Sequence, residues 1–240
     1  MGTESPLALL LIALIPPLFF LIYIYRQDDI ESEPRGMIAG LIGLGALSAI
    51  PAVLLELAGS YILLYRLGLP KESLIYLLLE NFLVIGVSEE ICKYTAGRLT
   101  TWKSPEFNYR FDGIVYMVSS AIGFAALENV LYVFQYGFHT GVFRAILSIP
   151  LHTICGMFLG YYYGEGKYLL MHGDKTGSRN AFWKGLFIAV MIHGAYDFLA
   201  PAGSRSTIAL VLFVVLVIVV DIVAFRFMKN AEKADSPIYE

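Results

Sequence analysis

The chain has 240 residues, 58% of them hydrophobic and only 15% charged, with a mean hydropathy of +0.67. That excludes an ordinary soluble domain and indicates a polytopic protein of the lipid bilayer. A formal net charge of −3, with no basic runs or arginine patches interleaved with aromatics, excludes a nucleic-acid partner.

Leu7 to Tyr25 is uncharged and long enough to cross about 30 Å of hydrocarbon at about 1.5 Å per residue, and Pro16 and Pro17 predict a kink in it. No basic residue precedes this run and it lacks a small-x-small cleavage site, so it is expected to stay as a helix. After a short charged loop, Met37 to about Tyr65 forms a second span in which Gly40, Gly43 and Gly45 permit close helix contact; it contains Pro51 and Glu56. Ser73 to about Arg98 is the third span and the most polar, with Glu80, Asn81, Glu89, Glu90 and Lys93. The fourth runs from about Asp112 to Tyr136 and carries Glu128 and Asn129. The fifth, about Phe143 to Tyr163, holds Pro150 and His152. A polar loop is expected from Lys167 to Lys184. Span six, about Phe182 to Leu199, ends in His193-Gly194-Ala195-Tyr196-Asp197, and span seven, about Thr207 to Phe227, is aliphatic apart from Asp221. The polar tail after Met228 is expected to be disordered.

The fold class is therefore all-α: one integral-membrane domain over residues 1–240, a bundle of about seven spans. Cytoplasmic loops carry the excess of Lys and Arg. With seven spans, thirteen of the seventeen fall on one side, and Arg66, Lys71, Arg144 and Arg205 on the other. This predicts an outside N-terminus and a cytoplasmic C-terminus in a multi-pass protein of the cell membrane. Cys92 and Cys155 both lie inside spans and read as buried free thiols rather than a disulfide.

The stretch around which the chain is organised is Val87 to Thr95. A charge near the middle of a membrane helix costs roughly 2.5–3.5 kcal/mol on insertion scales, and here two carboxylates stand side by side. Glu89 and Lys93 are four apart and share a helical face, while Glu90 is turned about 100° away. One Glu is thus expected to pair with Lys93 and leave the other free, unless Lys93 snorkels to the cytoplasmic boundary. Glu89, Glu90, Glu128, His152, His193 and Asp197 all fall at hydrocarbon depth on four helices, and one shared inward cavity would satisfy them together. His193 and Asp197, four apart, can grip one ion, although a single membrane His is more often a packed, hydrogen-bonded residue. Asn129 reads as a hydrogen bond between helices and Asp112 as a helix N-cap. Glu56, Glu80 and Asp221 are left as structural or interfacial.

The ordered set Glu89-Glu90-x-x-Lys93, Phe111-Asp112-Gly113-x-x-Tyr116, Gly123-Phe124-Ala125-x-x-Glu128-Asn129, His152 and His193-Gly194-x-Tyr196-Asp197-Phe198 resembles the PrsW family of intramembrane proteases. The likeness covers about residues 87–198, and PrsW proteins look like relatives of the CAAX prenyl protease and bacteriocin-processing (CPBP) superfamily. It implies hydrolysis of peptide bonds in a membrane-anchored protein or peptide. For bacterial PrsW the implied substrate is a single-span anti-sigma factor.

On that basis Glu89 is expected to be the general base and Glu90 its partner or orienter. His152 and His193, with Glu128 or Asp197 as third ligand, would hold a divalent metal, zinc by its preference for mixed His and carboxylate donors. A metal-free version keeps a Glu as base and turns the two His toward the oxyanion. From another class, buried Glu, Asp and His also build proton-coupled or ion transporters. The polar residues, however, lack the inverted partner set that such folds carry. A non-enzymatic scaffold would need the packing glycines but not the acid and imidazole cluster.

Overall fold

A computed structural model describes residues 5–28, 30–203 and 206–239. Its regular elements are helices, in the order α1 (Pro6–Tyr25), α2 (Arg35–Leu47), α3 (Ala49–Tyr61), α4 (Leu74–Leu78), α5 (Val87–Thr101), α6 (Asp112–Tyr136), α7 (Phe138–Ile146), α8 (Ser148–Met171), α9 (Lys175–Gly203) and α10 (Thr207–Lys233). Two π-helical stretches, Ile62–Arg66 and Leu79–Gly86, extend α3 and join α4 to α5.

Among the described residues six helical runs are long and apolar enough to cross a bilayer: Pro6–Tyr25, Arg35–Arg66, Asp112–Tyr136, Phe138–Met171, Lys175–Gly203 and Thr207–Lys233. The run from Leu74 to Thr101 is also continuous helix, but Glu80, Glu89, Glu90, Lys93 and Arg98 make it the polar member of the bundle. Its π stretch adds residues to the turn and so rotates the start of α5 by about 100° for each one added. This sets the face on which Glu89, Glu90 and Lys93 emerge.

Two of the long runs are broken in the same way. Pro51 stands in the first turn of α3 and Pro150 in the first turn of α8, where a missing N–H leaves no bond unmade. A proline ring crowds the carbonyl four residues back. Those carbonyls belong to Leu47 and Ile146, the last residues of α2 and α7. By contrast α1 stays one helix through Pro16 and Pro17.

α6 lies at the centre, buried along most of its length, with α1, α2 and α8 against it. Only glycine fits where α2 crosses it, since a Cβ on Gly45 would overlap the Ser120 carbonyl and one on Gly123 that of Ile42. Of the three glycines expected to bring α2 close, only Gly45 does so; Gly40 and Gly43 meet open space. α10 is peripheral and aliphatic, and most of its surface is free for lipid.

The Lys/Arg-rich loops gather on one face. Tyr116 donates to Glu33 Oε2 (2.6 Å), Asn108 Nδ2 to Glu31 Oε2 (3.1 Å) and Lys167 Nζ to the Phe107 carbonyl (2.8 Å). Three expectations are corrected here. The tail after Met228 is ordered as far as Tyr239: α10 continues to Lys233, Ile238 is fully buried, and its N–H donates to Asn108 O (2.7 Å) while Asp235 accepts from Phe111 N–H (2.9 Å). Asp112 does not cap its own helix but accepts from the N–H groups of Asn108 and Tyr109 (2.9 and 2.8 Å), closing the preceding turn. The long loop from Lys167 to Lys184 reduces to a turn at His172–Asp174. There Gly173 (φ +86°) ends α8 and Asp174 Oδ1 accepts from Gly177 N–H (2.7 Å) to start α9. Arg205, counted from the sequence with the smaller set of cations, lies outside the described residues.

Candidate active site

The first turns of α5 supply the centre of the site. Helical spacing puts Glu89 and Glu90 four and three residues before Lys93, so its ammonium reaches both: 2.9 Å to Glu89 Oε2 and 2.8 Å to Glu90 Oε1. Lys93 therefore neither snorkels nor leaves one Glu free. Its side chain is 1% exposed, lies 4.4 Å over the Phe124 ring, and touches His152 Nδ1 from α8 at 2.9 Å.

From α9, His193 Nδ1 lies 2.7 Å from Glu90 Oε1, and the two imidazole rings stand edge to face with centroids 5.3 Å apart. In both imidazoles Nδ1 meets an α5 side chain and Nε2 a carboxylate from outside α5. His152 Nε2 meets Glu128 Oε2 of α6 (3.1 Å), and His193 Nε2 meets Asp197 Oδ2, one turn on (3.2 Å). Glu89 Oε2 is also 3.6 Å from His193 Nε2.

The six residues singled out from the sequence thus meet in one cluster, but in two ranks. Glu89, Glu90, His152 and His193 are all buried, and each offers a ligand atom within 4.8 Å of the others. Glu128 and Asp197 stand behind the imidazoles. Arg144, a loop cation by sequence, is folded back by α7 so that Nη2 pairs with Glu128 Oε2 (2.7 Å) and Nε donates to Asn129 Oδ1 (2.9 Å). Asn129 in turn donates to the Ala13 carbonyl of α1 (2.9 Å), the interhelical bond expected of it.

The cluster lines a cavity of about 450 Å³, a size that takes a substrate segment. Glu89 faces this cavity and Glu90, fully buried, does not. Glu56 of α3, Asn81 of the π stretch and Tyr196 also reach it. The sequence alone assigns none of these a role: Glu56 reads there as structural or interfacial, and Asn81 only as a polar residue of the third span. The breaks at Ser48 and Leu147 open onto the same space, since Ala49, Leu147 and Ser148 form part of its wall. Cys92 and Cys155 are buried free thiols, and Cys155 Sγ points to the Ala189 carbonyl (3.6 Å).

The charges in the cluster do not balance. Four carboxylates, on Glu89, Glu90, Glu128 and Asp197, face two permanent cations, on Lys93 and Arg144. Unpaired charge away from water is costly, so such a set calls for further positive charge, either protons on the imidazoles or a divalent cation. Glu90 Oε2 is buried and accepts no hydrogen bond among the described residues. Two imidazoles and two carboxylates, one of them carrying this uncommitted oxygen, fit the donor chemistry of a zinc-type ion.

Residues 33–223 match the family model described as PrsW family intramembrane metalloprotease. Protease PrsW of Halalkalibacterium halodurans is 30% identical over 230 residues, covering 95% of this chain and 99% of that protein. Protease PrsW of Oceanobacillus iheyensis is 30% identical over 210 residues, 88% of this chain and 91% of its own. That of Bacillus subtilis is 29% identical over 201 residues, 82% and 85% respectively. No solved structure matches the chain.

Proposed function

Since the chain belongs to the PrsW family and is a multi-pass integral membrane peptidase, we propose that it cuts its substrate at the cluster of Glu89, Glu90, His152 and His193. The observation that carries this reading is the meeting of two carboxylates and two imidazoles from three separate helices, with Glu89, His152 and His193 at the wall of one cavity.

Glu89 is the general base, because it faces the cavity; Glu90, fixed by Lys93 and His193, orients it. A divalent metal, zinc by donor type, would be held by Glu90, His152 and His193, which leaves a fourth position for water and Glu89 free to act as its base. When bound it would acidify a water and polarise the scissile carbonyl. Glu128 and Asp197, candidate third ligands by sequence, are assigned instead to holding the Nε2 side of each imidazole so that Nδ1 is presented to the centre. Arg144 keeps Glu128 in that position.

One observation favours a second, metal-free reading: the Lys93 ammonium already lies among three of the same groups, at 2.8 to 2.9 Å. In that version Glu89 activates water directly, and Lys93 with the imidazoles faces the developing oxyanion. Metal content and chelation separate the two. The purified protein is expected to carry about one zinc per chain, to lose cleavage with a strong chelator, and to regain it with zinc; full activity in metal-free protein would end the zinc assignment in favour of Lys93.

We further propose that Leu74–Thr101 is a seventh span, with its charges turned inward, and that the N-terminus lies outside and the C-terminus in the cytoplasm, from the Lys/Arg excess on one face. The substrate class is a single-span membrane protein of the anti-sigma-factor kind, and the superfamily is the CPBP group; both rest on the motif resemblance.

A further inference from the structure

A second cavity of about 380 Å³ lies on the Lys/Arg-rich face, where α5, α8 and the start of α9 meet. We propose that it binds the phosphate of an anionic phospholipid headgroup.

Three cations line it: Arg98 of α5 and Lys175 and Arg179 of α9. No carboxylate lines it, and none of the three forms an ion pair among the described residues. The acid nearest in sequence, Asp174, is engaged in capping α9. Arg98 is pre-positioned, stacked 4.1 Å over Trp102 and donating from Nη1 to the Tyr94 hydroxyl (3.1 Å). A fixed guanidinium with two flexible partners is the arrangement that takes a phosphate. Ser178 adds a hydroxyl to the wall.

The choice of a lipid over a soluble anion rests on the surroundings of the cavity. Leu99, next to Arg98, is 80% exposed, and Trp183 and Met171 are exposed on the neighbouring helices, so apolar side chains flank the cavity where acyl chains would lie. Aromatic residues on the walls, Tyr94, Trp102 and Tyr163, are those that settle at headgroup level. Basic pockets between membrane helices at this depth recognise anionic headgroups.

The test is thermal unfolding of the purified full-length protein in neutral detergent, with added phosphatidylglycerol, phosphatidylcholine or inorganic phosphate, together with native mass spectrometry of bound lipid. Phosphatidylglycerol is expected to raise the midpoint by several degrees and to appear as a retained lipid, and phosphatidylcholine to do neither. Arg98→Gln with Arg179→Gln should abolish both effects. So should Lys175→Gln with Arg179→Gln, which spares the Arg98 stack. Lys103→Gln, on the same face but outside the cavity, should keep both. An equal response to phosphatidylcholine, or an undiminished one in the Lys175/Arg179 variant, overturns the proposal; a full response to inorganic phosphate alone overturns the lipid as its occupant.

Discussion

Two clusters of buried polar groups sit in this bundle, and they are built on different terms. At the Lys/Arg-rich face, Glu33 and Asp112 are held by the Tyr116 hydroxyl and by backbone N–H groups of Asn108 and Tyr109. In the cluster on α5, α8 and α9, side chain meets side chain: Lys93, Glu89, Glu90, His152 and His193 satisfy one another beside a cavity. Main-chain N–H groups and a phenol hold those carboxyls and so fix a loop in place. Side-chain partners that can trade protons next to an open space are what hydrolysis requires. The first cluster therefore belongs to stability and the second to chemistry, and substitutions should divide accordingly.

The largest effect is expected in the second. His193→Ala should lower cleavage by about 10²–10⁴-fold, the usual worth of a positioned acid or base group, with little change in the unfolding midpoint. Parallel loss of activity and fold would move His193 to the structural side. Tyr116→Phe should do the reverse: cleavage by the folded protein stays within about twofold, while stability falls by about 1 kcal/mol through one lost hydrogen bond. A pH effect, smallest of all, sharpens the contrast further. Burial pushes the Asp28 carboxyl up from 3.8 to about 6 and raises Glu33 as well, both in the loop ahead of α2. Folded protein then holds protons that the unfolded chain has released. The stability these groups contribute is thus complete below about pH 4 and is lost as pH rises through about 6 for Asp28 and about 7 for Glu33. Hydrogen exchange in residues 26–34, corrected for intrinsic rates, should show stronger protection at pH 5 than at pH 8, and Asp28→Asn should flatten the difference.

Much of the bundle is legible in apolar runs, because in hydrocarbon a chain must satisfy its backbone internally and helices are the local way to do so. The convergence of Glu89, Glu90, Glu128, His152, His193 and Asp197 is legible in the cost of burying each alone. The remainder depends on contacts far apart in sequence. Lys93 and His152 are 59 residues apart, and nothing in local spacing says that the ammonium joins the imidazole. Arg144 reads as a loop cation because no pattern reveals that Gly137, at φ +88°, and the break at Leu147 turn α7 back over Glu128. The docked tail is hidden for a related reason. Its polar composition suggests disorder, but its bonds go to the backbone of residues 108–111, which offers donors and acceptors regardless of side-chain type.

The central claim is that peptide hydrolysis takes place at the paired glutamates of α5. It is tested most directly by purified protein reconstituted with a single-span membrane substrate, comparing wild type with Glu89→Gln and Glu90→Gln, variants close to isosteric. Both should fold and bind substrate yet release cleaved product at least about 10²-fold more slowly, Glu89→Gln being the more severe. Wild-type rates of product release from either variant would contradict it.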